Sequence, residues 1–100
     1  MLTIVVEPGP DDTYFYELEN VTVDGSPACT AYIACAENAS VTAWAARYDA
    51  GGRFLGAETM ELAPGELNEF TVLYNGADHI RFFALDGSYV PVCESVENGS

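Results

Sequence analysis

The sequence predicts an all-β fold, a single antiparallel sandwich of about seven or eight strands. Three observations carry that expectation. Turn signals rich in Gly, Pro, Asn and Asp recur roughly every ten residues. Between them, apolar side chains alternate with a period of two, as a half-buried strand requires. The chain has 100 residues, 49% of them hydrophobic and 12% aromatic, enough to close one core without a metal or a cystine staple. Residues 1–100 are therefore read as one domain.

Leu2–Val6 alternates weakly and stops at Glu7-Pro8-Gly9-Pro10-Asp11-Asp12, which cannot continue a strand. Residues 1–13 read as an edge strand or arm followed by a loop. Tyr14–Val23 places Tyr14, Tyr16 and Leu18 on one parity and Val21 and Val23 on the other, so a bulge or bend is expected near Glu19-Asn20. Asp24-Gly25-Ser26-Pro27 turns the chain. In Ala28–Ala36, Cys29, Ala31, Ile33 and Cys35 share one face, and Ala28, Thr30, Tyr32 and Ala34 the other. Nine residues between two turns favour a strand over a helix there.

Val41–Leu62 is the clearest unit, two extended arms around Asp49-Ala50-Gly51-Gly52, whose glycines supply the positive φ of a hairpin turn. Its first arm is apolar on both parities, Trp44, Ala46 and Tyr48 against Val41, Ala43 and Ala45, as in a central strand; Trp44 is placed inside. The register of Arg53–Leu62 stays open. Ala63-Pro64-Gly65-Glu66 turns again, and Leu67–Tyr74 follows with Phe70, Val72 and Tyr74 together. After Asn75–Asp78, His79–Leu85 sends Ile80, Phe82 and Ala84 inward. Tyr89–Glu94 is the expected last strand, an edge because of Pro91, and 96–100 a frayed tail. Edge strands with prolines favour an open sandwich over a closed barrel.

Sixteen acids face three bases, all arginine (Arg47, Arg53, Arg81), for a formal charge of −13. That surface repels phosphate backbones and anionic headgroups, so neither nucleic acid nor membrane is an expected partner. No apolar run approaches the roughly 18 residues of a span. The Met1–Val6 run is too short, and lacks the basic flank, for a signal peptide.

No catalytic, cofactor-binding or metal residue is expected. His79 opens a strand after a turn, and no serine sits in a G-x-S-x-G elbow. Cys29 and Cys35 are roughly 20 Å apart on one strand and cannot pair with each other. Free, buried thiols are the expected state, with a Cys29–Cys93 bridge as the less favoured alternative. Asp24, Asp49 and Asp78 fall in three turns at one end of such a sandwich, where hard oxygen ligands could hold calcium; local turn hydrogen bonding is the preferred explanation. Tyr14, Phe15, Tyr16, Tyr32, Trp44, Phe83 and Tyr89 cannot all point inward, and Tyr14 and Tyr32 are the expected interface residues.

Three stretches carry a resemblance: Ala45-Ala46-Arg47-Tyr48-Asp49-Ala50-Gly51-Gly52-Arg53-Phe54-Leu55, Leu62-Ala63-Pro64-Gly65-Glu66, and Gly76–Asp86 with Tyr89-Val90-Pro91-Val92-Cys93. From about Asn38 to Cys93 the chain resembles immunoglobulin-like or fibronectin type III-like modules near the ends of surface and secreted proteins of gut Firmicutes. The family usually has an acid or asparagine before the turn glycine, where Gly51 stands here. The resemblance implies a non-catalytic accessory module of an exported bacterial protein, secreted or at the cell surface. Such a module is a spacer or a protein-interaction domain, monomeric in isolation, whose partners are neighbouring domains or another protein. The alternative is a carbohydrate-binding module using exposed aromatics.

Overall fold

The computed structural model describes residues 12–37 and 39–99, and these hold seven β-strands and no helix. The strands are β1 (Tyr14–Val23), β2 (Ser26–Ala34), β3 (Val41–Tyr48), β4 (Phe54–Glu61), β5 (Leu67–Leu73), β6 (His79–Asp86) and β7 (Val96–Gly99). They form two antiparallel sheets, β1-β2-β5 and β4-β3-β6-β7. The expected all-β sandwich is what the chain forms; the arm expected over Leu2–Val6 lies outside the described residues.

The core follows the period of two. Cys29, Ala31 and Ile33 from β2, Cys35 just after it, and Phe70 and Val72 from β5 face Val41, Ala43 and Ala45 from β3 and Ile80, Phe82 and Ala84 from β6. The Phe82 ring lies 6.0 Å from that of Phe70 and 6.4 Å from that of Phe15. Alanines opposite large rings let the two layers interlock.

Trp44 is a correction. It lies half-buried on the outer face of its sheet, while Ala43 and Ala45 point inward and are fully buried. Both parities of β3 are apolar, so period alone does not choose between them. The choice falls to volume: with Phe82, Ile33 and Phe70 filling the interior, β3 has room there for methyl groups.

Three further differences have local causes. In β1 the bulge falls between Phe15 and Glu17, so Phe15 and Leu18 pack on the core while Tyr14 and Tyr16 stay exposed. In the β3–β4 turn Gly52 alone of the two glycines has positive φ, at 85°. The segment 89–94 is not a strand. It touches β6 through a Leu85–Pro91 bridge and a Val92 N–H donated to the Ala84 carbonyl, then bulges out. Pro91 has no N–H to extend that ladder. The end of the chain, expected to fray over 96–100, instead forms β7, which pairs with β6 from Phe82–Val96 to His79–Gly99.

Two side-chain clasps close the open flanks between the layers. Arg47, on the inner face of β3, donates from Nε to the Leu73 carbonyl at 2.7 Å and pairs with Glu58 on β4. It thereby ties the four-stranded sheet to β5. On the other flank Asn20 of β1 accepts at Oδ1 from the Tyr74 hydroxyl at 2.6 Å and from Asn98 Nδ2 at 2.7 Å, and donates to the Gly99 carbonyl at 3.1 Å. Burial pushes the Tyr74 hydroxyl above its usual ionisation range, which keeps it a donor. Replacing Tyr74 with Phe removes only that hydroxyl and is expected to cost about 1 kcal/mol in urea unfolding. No change in midpoint would mean that this flank is held by packing alone.

The turns at Asp24-Gly25, Asp49–Gly52 and Asn75–Asp78 gather at one pole, together with Gly99. Tyr14, paired with Ala34, begins at the other. The described chain therefore enters at one pole and leaves at the opposite one.

Candidate functional site

The outer face of the four-stranded sheet is built on the second parity of β3: Thr42, Trp44, Ala46 and Tyr48. Trp44 stands between Thr59 and Phe83, Ala46 between Ala57 and Arg81, and Tyr48 between Phe54 and His79. A bulge places Leu55 as an extra residue opposite the Arg47–Tyr48 step, and this turns Phe54 to the same side as Ala57 and Thr59. The result is a hollow of about 350 Å³ lined by Trp44, Ala46, Tyr48, Phe54, Ala57, Phe83 and Leu85. Alanines form its floor and rings its walls, with no charged group among them.

The rings are locked edge to face. Tyr48 meets Phe54 at 6.0 Å with planes 66° apart, and Trp44 meets Tyr89 at 6.3 Å with planes 68° apart. Tyr89 is 72% exposed and Phe54 60%, both large apolar areas left in water. The Trp44 indole Nε1 is shielded and has no hydrogen-bond partner.

Tyr89 is also strained. Its φ is +63°. The turn around it has the Tyr89 N–H on the Asp86 carbonyl and the Asp86 N–H on the Val90 carbonyl, both at 2.9 Å. The β3–β4 turn repeats that pattern, with the Gly52 N–H on Asp49 and the Asp49 N–H on Arg53, and there the left-handed position is a glycine. Asp24 and Asn75, also at positive φ, are residue types that tolerate it; a tyrosine pays about 1 kcal/mol or more.

A polar depression flanks the hollow on each side. One, of about 310 Å³, shares Trp44 and is lined by Thr42, Thr59, Glu61, Asp86, Gly87 and Tyr89. The other, of about 260 Å³, is lined by Tyr48, Gly52, His79, Arg81 and Glu97. The His79 ring stacks on Tyr48 at 5.3 Å, and its nitrogens reach Asp78 at 3.0 Å and Glu97 at 3.2 Å. Arg81 lies 3.5 Å from Glu97, and Arg53 lies 3.2 Å from Asp49, so both exposed arginines of this sheet already have a carboxylate.

The residues singled out from the sequence lie elsewhere. Tyr32 is on the outer face of the three-stranded sheet, paired with Glu17 and Glu69, and its hydroxyl donates to Glu19 at 3.0 Å. That bond, first among its causes, pushes the phenol above its usual range. Tyr14 is exposed at the start of the same sheet's edge. Both belong to an acidic face and neither joins the aromatic hollow. No sequence window shows the hollow, because its walls come from β3, β4, β6 and a turn. The available signal was the second apolar parity of β3.

Cys29, Cys35 and Cys93 are free thiols. Cys29 sits beside Asn98, near the pole of the Asp turns, whereas Cys93 lies next to Val92, which bonds Ala84. About four β6 residues, roughly 13 Å, separate those levels, which puts the alternative Cys29–Cys93 bridge out of reach. Burial raises all three thiols above their usual range, the opposite of an activated nucleophile. Native protein is expected to expose only Cys93, half-buried, to a thiol reagent, and all three after unfolding. Three fast thiols in the native state would contradict this packing.

The three aspartates serve their own turns or neighbours. Asp49 accepts at Oδ1 from the Gly51 and Arg53 N–H groups, both at 2.9 Å, and the Arg53 bond leads in holding its carboxyl below the usual range. Asp78 holds His79, and Asp24 occupies a left-handed turn position. Among the described residues, no three His, Cys, Asp or Glu side chains are grouped as a metal ion would need. No family model, no curated protein and no solved structure matches the chain.

Proposed function

We propose that this chain is a non-catalytic, immunoglobulin-like recognition module of an exported bacterial protein, and that it docks a neighbouring domain or another protein on the outer face of its four-stranded sheet. The observation that carries this reading is the hollow walled by Trp44, Tyr48, Phe54 and Phe83 and floored by Ala46 and Ala57. Aromatic side chains around a small, uncharged depression are the composition of an interface centre. The resemblance noted in the sequence supports the exported, accessory setting.

Exposed Tyr89 and Phe54 favour a second reading, carbohydrate binding. The ring planes weigh against it: at 66° and 68° to their neighbours they do not form the flat strip on which successive sugars stack. A photo-crosslinking phenylalanine analogue in place of Phe54 is expected to capture a discrete protein in the producing bacterium, and the same analogue in place of Tyr32 is not. Equal capture from both faces, or capture of polysaccharide alone, overturns the proposal.

A further inference from the structure

We infer that the segment docking on this sheet is cationic: it places an apolar side chain in the hollow and a lysine or arginine beside it, in the depression lined by Glu61 and Asp86. The inference rests on the docking role proposed above and names the chemistry of the partner.

The geometry sets two adjacent requirements. The hollow offers about 350 Å³ with carbon-rich walls, room for one leucine-, methionine- or phenylalanine-sized group. The neighbouring depression, of about 310 Å³, shares Trp44 as a wall and carries two carboxylates with no arginine in its lining. Asp86 Oδ1 accepts from the Ser88 and Val90 N–H groups at 2.8 and 3.1 Å, so its Oδ2 and the Glu61 carboxylate are the oxygens offered to a ligand. A cation there meets Glu61 and Asp86 and lies against the rings of Trp44 and Tyr89, where the ring faces attract it further. The charge of the whole chain, −13, points the same way and opposes docking by a second copy of this acidic chain. The two exposed arginines on this side are already engaged by Glu97 and Asp49, and neither is paired with Glu61 or Asp86.

A further observation points to an occupant. Tyr89 holds a left-handed conformation that the equivalent turn gives to Gly52, so its ring is kept over Trp44 against local strain. Strain of this kind gathers at ligand-contacting positions.

The test uses two blocked hexapeptides, one with a central leucine pair flanked by lysines and one with glutamates for the lysines, titrated into labelled protein and followed by amide and indole NMR. The lysine peptide is expected to shift Trp44, Ala46, Ala57 and Tyr89 with a dissociation constant near or below about 1 mM. Affinity should fall several-fold from low to high salt, because exposed charge pairs are screened. The glutamate peptide should bind at least about tenfold more weakly. Ala57→Glu fills the hollow at an exposed position and should abolish the shifts without moving the melting temperature. Tyr89→Gly removes both strain and ring and should weaken the peptide several-fold while leaving the melting temperature within a few degrees.

Equal binding of the two peptides, shifts confined to Glu17, Glu19 and Glu69, or no binding of either up to about 5 mM overturns the inference. So does a cello- or xylohexaose that moves the same resonances at lower concentration. Capture through Phe54 with no preference for the lysine peptide sinks this inference and leaves the docking role standing. A bound lysine peptide with no capture through Phe54 leaves the surface chemistry standing and removes the docking role.

Discussion

Replacing Phe82 with Ala is expected to destabilise the protein by about 3–5 kcal/mol, the largest effect of any single truncation here. Phe82 is fully buried, and its ring joins Phe70 of the opposite sheet and Phe15 of β1. Around it stand Ala31, Ala43, Ala45 and Ala84, all fully buried. Methyl groups on rigid strands have no flexible chain with which to fill a vacated space, so little of the cavity can collapse. A domain of this size holds about 5–15 kcal/mol in all, so the variant should lie near the edge of folding. Urea unfolding should show a lower midpoint at an unchanged slope. A loss below about 1 kcal/mol would mean that the layers do not meet at this ring.

Arg47→Ala is expected to cost about 2–3 kcal/mol, more than an exposed ion pair contributes. The guanidinium is largely buried and bonds the Leu73 carbonyl across the gap between sheets, while Glu58 is its partner on β4. Removing it leaves an inward-facing carboxylate and a carbonyl without their donor. Glu58→Gln keeps a neutral acceptor in place and should cost much less, about 1 kcal/mol, since Glu58 is partly exposed. Equal losses for the two variants would show that the charge pair, and not the contact with Leu73, carries the clasp.

Much of this architecture was legible in the chain because β2, β5 and β6 each have a more apolar parity, with Thr30, Glu69 and Arg81 marking the other side. Cys29, Ala31, Ile33 and Cys35, or Ile80, Phe82 and Ala84, admit one inward face only. Where both parities are apolar, as in β3, the pattern is silent, and size misled: the largest side chain, Trp44, was given the interior that the alanines occupy. Bulges are the second blind spot. One extra residue at Tyr16 and another at Leu55 reverse which side chains face in; no glycine or proline marks the first, and Gly56 beside the second does not by itself fix the register. The bulge at Leu55 completes the candidate site, because it turns Phe54 outward. Tyr89, in a turn position where glycine is usual, gave no sign in the sequence of a left-handed backbone. The end of the chain was hidden for another reason: β7 has four residues, too few for any periodicity, and is held in place by Asn98 contacts from a distant strand.

Entry at one pole and exit at the other has a mechanical consequence. Tension applied between Tyr14 and Gly99 slides β7 along β6, loading that ladder in shear. The ladder has four residue pairs, and beside it stand the bonds from Asn20 to Gly99 and Asn98. This short strand should yield first, while the Phe82 core stays closed. The domain would then act under load as a latch with a small, reversible give.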